Sequence, residues 1–81
     1  MENVLKQARE KLKLSEMELA FIVDVTEQTV RANENGENIK ITSKLLKFLT
    51  EQGFDREELE KEYSKYRKWK KTQVLQRLKA Q

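Results

Sequence analysis

Residues 15–36, SEMELAFIVDVTEQTVRANENG, decide the fold. Ser15 and Glu18 form a capping box. The serine hydroxyl accepts from the Glu18 amide and the Glu18 carboxylate accepts from the Ser15 amide, so a helix starts there. Leu19, Ala20, Ile22 and Val23 follow as its expected buried face. Thr26 is a good N-cap for a second helix, and Gly36 suits the left-handed position just past that helix's end. Only Asp24 and Val25 lie between the two helices, which therefore meet in a sharp turn. Ala20 is small where two helices must approach closely, and Leu19, Val23, Val25 and Val30 are apolar where they face a core. Helix, tight turn, helix is the arrangement that lays a second helix in the major groove of DNA.

Working outward, a first helix is expected from about Glu2 to Leu12, with Val4, Leu5, Ala8 and Leu12 at helical spacing. A fourth opens at Thr42, carries Leu45, Leu46, Phe48 and Leu49, and stops at Gly53. A fifth opens at Asp55, where Glu58 completes a second possible cap, and meets no breaker before about Lys79. With no proline and only two glycines in 81 residues, nothing argues for strands. The reading is all-α: a compact bundle of four to five helices containing a helix-turn-helix, with an extended basic C-terminal helix. Residues 1–60 form the helix-turn-helix domain and residues 61–81 the basic helical extension.

Composition excludes whole classes of chemistry. The chain has no cysteine, so disulfides and thiolate metal sites are out, and no histidine, the commonest metal ligand and general base. A Ser–His or Cys–His nucleophile cannot be built. No metal, no cofactor and no enzymatic activity is expected. No apolar run reaches the roughly 20 residues of a membrane span, and the N-terminus lacks a signal-peptide core, so the expectation is a cytoplasmic protein without membrane contact. The net charge of +3 hides a strong asymmetry. Residues 15–37 hold six acids and one base, whereas residues 63–81 hold seven bases and no acid. A polyanion-binding tail is the pointed reading of that imbalance, and a solvated helix the plain one.

Leu5-Lys-Gln-Ala-Arg9, Leu14-Ser15, Glu18-Leu19-Ala20, Val25-Thr26, Val30 and Glu34-Asn35-Gly36, in this order and spacing, resemble the Xre family of helix-turn-helix regulators, which includes the lambdoid phage repressors and Cro proteins. The resemblance covers residues 3–60. It implies a salt bridge between Arg9 and Glu34 that joins the first helix to the third. It also implies an outward recognition face of Thr26, Glu27, Gln28, Arg31 and Ala32. Within that face, Gln28 is chemically able to read adenine, and Arg31 guanine or a phosphate. Asn35, Asn38 and Lys40 fall in the following loop, where family members commonly hold the DNA backbone. Three positions depart from the pattern. Glu16 stands where glutamine is usual and would repel a phosphate. Asp24 stands where the turn usually has glycine. Asn33 stands where an apolar residue is usual, so looser packing of the third helix is expected.

In the tail, Arg67, Lys68, Lys70 and Lys71 are expected to add phosphate contacts, while Leu59, Tyr63, Tyr66 and Trp69 form a stripe expected, with Val74 and Leu78 beyond it, to serve a dimer or partner surface. The leading expectation is a small sequence-specific DNA-binding transcriptional regulator, of phage or mobile-element type, that binds double-stranded DNA as a homodimer. No separate sensor domain is expected in 81 residues, and control is then expected from protein level, dimerisation or a regulatory protein partner. The second reading is a helix-turn-helix fold used as a protein-binding module, an anti-repressor or DNA mimic, through Glu16, Glu27 and Glu37.

Overall fold

The structure is a computed structural model that describes residues 1–80. Five helices follow one another: α1 (Val4–Lys11), α2 (Glu16–Val23), α3 (Glu27–Glu34), α4 (Ser43–Glu51) and α5 (Arg56–Lys79). No strand occurs among the described residues. Leu5 and Ala8 of α1, Leu19 and Ala20 of α2 and Val30 of α3 meet Leu45, Leu46 and Leu49 of α4 in one core. Ile41, just ahead of α4, and Leu59 and Tyr63 from α5 close it. The capping box at Ser15 is present in both directions, at 2.9 and 3.0 Å. Hydrogen bonds from the Ser15 backbone and side chain hold the Glu18 carboxyl below its ordinary 4.5.

Helices α1 to α4 all stop in the same way. In each, a residue with positive φ follows the last turn, and the next residue donates its amide to the carbonyl five residues back. The positive-φ residues are Lys13, Asp24, Gly36 and Gly53. The closing bonds run from Leu14 to Arg9, Val25 to Ala20, Glu37 to Ala32 and Phe54 to Leu49. Lys13 and Asp24 therefore carry a conformation that costs L-residues about 1–2 kcal/mol. At Asp24 (φ 61°) the gain is the abrupt reversal that sets α3 against α2. Gly36 has a second reason to be glycine, because a Cβ there would stand 2.9 Å from the Tyr66 ring.

Asn33 corrects the expectation of a loosely packed α3. It has zero exposure, and both Nδ2 protons and Oδ1 are hydrogen-bonded. Nδ2 donates to the Thr29 carbonyl at 3.1 Å and to the Thr42 hydroxyl at 2.7 Å, while Oδ1 accepts from the Thr42 amide at 2.9 Å. Thr42 thus holds α3 instead of capping α4 with its side chain. The Asn33 carbonyl accepts from Nδ2 of Asn3 at 3.0 Å, and Asn3 is itself buried and caps α1 through Oδ1. At the next residue of α3, Arg9 grips Glu34 with two nitrogens, at 2.7 and 3.0 Å, and donates to the Leu14 carbonyl at 2.9 Å. The bond to Glu34 raises the already high pKa of Arg9, so the guanidinium stays charged at any ordinary pH.

α5 runs through residues 60 and 61 without a break. Its expected cap at Asp55 makes no side-chain hydrogen bond. Leu59 and Tyr63, each 2% exposed, belong to the core and so are not a surface for a dimer or partner, because the stripe they start turns inward against α1 and α4. The Tyr63 hydroxyl donates to the Asn38 carbonyl at 2.7 Å, and burial pushes it above the usual 10. Among the described residues, no helix is long and apolar enough to cross a membrane.

Removing the Asn33 amide strands buried donors and acceptors on Thr29 and Thr42, at about 1–3 kcal/mol. Both Asn33→Ala and Asn33→Leu should lower the free energy of urea unfolding by that amount, followed by circular dichroism. A leucine variant more stable than the parent would show that apolar fill, and not the network, is what the site requires.

Candidate nucleic-acid interface

α3 is bound from behind and open in front. Val30, Asn33 and Glu34 face the core, whereas Gln28 and Arg31 are exposed and Glu27 and Ala32 half-buried on the other side. Thr26 starts the helix: its hydroxyl oxygen accepts from the Thr29 amide at 3.0 Å and pairs with the Thr29 hydroxyl at 2.8 Å. Gln28, Arg31, Ala32 and Glu37 line a shallow recess of about 330 Å³. Ala32 leaves room there, Glu37 contributes a carboxylate, and Gln28 and Arg31 supply amide and guanidinium donors of the kind that meet base edges.

Arg31 lies between two carboxylates, donating to Glu27 at 2.9 Å and pairing with Glu16 at 3.7 Å. The charge of Glu16 is thereby answered within the α2–α3 unit. Exposed pairs of this kind contribute about 0–1 kcal/mol, so a phosphate or guanine can draw Arg31 away at small cost.

The basic segment of α5 passes over the C-terminus of α3. Nε of Arg67 donates to the Gly36 carbonyl at 3.0 Å, and Nζ of Lys70 donates to the Asn35 carbonyl. Both cations meet the negative end of the α3 dipole and satisfy carbonyls at and just past its last turn. Tyr66 packs on Gly36, stacks in a tilted fashion with Trp69 at 5.8 Å, and lies under the Lys70 ammonium at 5.9 Å. Of the four tail cations expected to bind phosphate, Arg67 and Lys70 are therefore first of all braces for α3. Lys68 and Lys71 are exposed, and all four line a groove of about 560 Å³ that also takes in Gly36, Ile39 and Ser64. Glu37 borders both this groove and the Gln28 recess, so the cationic groove and the outward face of α3 adjoin at a carboxylate.

The loop residues are divided in role. The Asn35 side chain lies 3.4 Å from Glu37, the Asn38 backbone holds Tyr63, and Lys40 is exposed. The partner stripe is reduced to the half-buried Tyr66 and to Trp69, 38% exposed. Sequence reasoning missed an apolar patch on the outside of α2. Met17, Phe21 and Ile22 are 66, 83 and 48% exposed, so Ile22 is not part of the buried face. The run Met17-Glu-Leu-Ala-Phe-Ile-Val23 is apolar on nearly every side, and that excess was the available signal. Compared with protein-family models, with curated proteins and with solved structures, the chain matches none.

If Arg67 braces α3, Arg67→Ala should speed amide hydrogen exchange at Gly36 and Glu37 while leaving the Leu45–Leu49 amides protected. Unchanged exchange at Gly36 and Glu37 would reduce the Arg67 contact to a surface accident.

Proposed function

We propose that the chain is a small sequence-specific DNA-binding transcriptional regulator, similar to the Xre family and of phage or mobile-element type, that inserts α3 into the major groove. The observation that carries this reading is the placement of Gln28, Arg31 and Ala32 on the free side of a helix whose other side is fixed by Asn33 and Glu34. A helix that reads base edges must not rotate about its axis, and these bonds prevent it. Lys68 and Lys71, with Arg67 and Lys70 behind them, supply the phosphate neutralisation that an acidic α2–α3 unit lacks. In this reading Gln28 bonds adenine, Arg31 leaves its carboxylates for guanine or a phosphate, and Asn35, Asn38 and Lys40 lie along the backbone of the same half-site.

The competing reading, a protein-binding module acting through Glu16, Glu27 and Glu37, has weaker support. Glu16 and Glu27 are both engaged by Arg31, which leaves Glu37 as the acid not held by a cation.

Fluorescence anisotropy with duplex DNA from upstream of the protein's own gene, against scrambled DNA and across a salt series, tests the proposal. Gln28→Ala and Arg31→Ala should each weaken binding to the specific duplex by about 1–3 kcal/mol. Lys68→Ala should weaken both duplexes alike and lower the salt slope by about 1. Specific binding untouched by the two α3 variants would remove α3 as the reader, and no binding at all would favour the protein-binding module.

A further inference from the structure

We infer that the chain pairs with a second copy of itself by reciprocal docking of helix ends, the C-terminal arm of α5 from each copy lying in the apolar groove on α2 of the other. Leu14, Met17, Phe21 and Ile22, with Glu18, line that groove of about 340 Å³. Single exposed apolar side chains need no explanation, but a contiguous patch does. Met17, Glu18 and Phe21 follow the spacing of one helix face, and Leu14, just ahead of the α2 N-cap, lines the same groove.

The matching surface is on α5. From Lys71 to Ala80 every residue is exposed, and Val74, Leu75 and Leu78 are 39, 48 and 60% exposed. Residues 74, 75 and 78 repeat the spacing found on α2. A projecting helical end of this length has little to hold it, because isolated helices shorter than about 12–15 residues are marginal in water. A partner groove supplies what is missing. The arm cannot reach α2 of its own chain, because α5 is one uninterrupted helix with neither glycine nor proline in it.

Charge selects a second copy in this unlike arrangement. Residues 14–24 carry Glu16, Glu18 and Asp24 and no base, whereas residues 70–79 carry Lys70, Lys71, Arg77 and Lys79 and no acid. Pairing arm with arm, or α2 with α2, sets like charges against each other. Pairing arm with α2 sets Arg77 and Lys79 beside the acids that flank Met17 and Phe21. Repeated about a two-fold axis, the contact forms twice and closes on itself, giving a dimer and not a filament.

Sedimentation velocity on the full chain should show a dimer. Phe21→Glu and Leu75→Glu, both at exposed positions, should each convert it to a monomer with unchanged helical circular dichroism. The absence of cysteine makes a direct assignment simple. When a Phe21→Cys chain and an isotopically heavy Leu75→Cys chain are mixed and oxidised, disulfide dimers should join light to heavy chains, and neither variant alone should cross-link. A monomer at every concentration, a dimer that survives both glutamates, or cross-links only between like positions would overturn the inference.

Discussion

A small core with a side-chain amide at its centre is stable only if that amide is fully bonded, and the rest of this structure is arranged around that requirement. Asn33 bonds both Nδ2 protons and Oδ1 to Thr29 and Thr42, and its backbone carbonyl receives Asn3 from the start of α1. Apolar packing alone would let α3 slide or rotate against its neighbours. Directional bonds at a fully buried position, followed one residue later by the two-pronged Arg9–Glu34 pair, leave α3 one orientation. Buried polar groups are a weak source of stability but a good source of uniqueness. Here uniqueness of orientation is the property that the proposed reading of DNA needs.

The remaining parts serve the same helix. Asp24 adopts a left-handed conformation so that α3 starts immediately after α2, and Gly36 permits both the reversal after α3 and the close approach of Tyr66. α5 then reaches back to place Arg67 and Lys70 on the carbonyls where α3 ends. α3 is thereby held along its inner face and at its C-terminus, while Gln28 and Arg31 remain exposed. The same placement explains how an acidic α2–α3 unit lies beside a basic surface. The bases come from a distant part of the chain, delivered by a helix that Leu59 and Tyr63 anchor in the core.

The local grammar of the sequence carried most of the fold. Ser15 with Glu18, Thr26, Gly36 and Gly53 mark helix boundaries because caps depend on residues three or four positions apart. What depends on partners far along the chain was not legible. Asn33 reads as a defect in an apolar pattern until Thr42 and Asn3 are seen around it. Leu59, Tyr63, Tyr66 and Trp69 do lie near one line of a helix, but periodicity does not say how far along that line the body extends. It ends after Tyr63, so half of the stripe is core. α2 defeats periodicity outright, since Leu19, Ala20, Phe21, Ile22 and Val23 leave no polar face to compare against, and only the packed structure tells Phe21 from Leu19.

Amide chemical-shift mapping of the ¹⁵N-labelled chain against duplex DNA from upstream of its gene tests the central claim, a helix fixed behind and reading in front. The account predicts shifts at Glu27, Gln28, Arg31 and Ala32 and at Lys68, with Val30, Asn33 and Thr42 unmoved. Shifts centred on Met17 and Phe21, or displacement of the Asn33 and Thr42 signals together with the rest of α3, would contradict it.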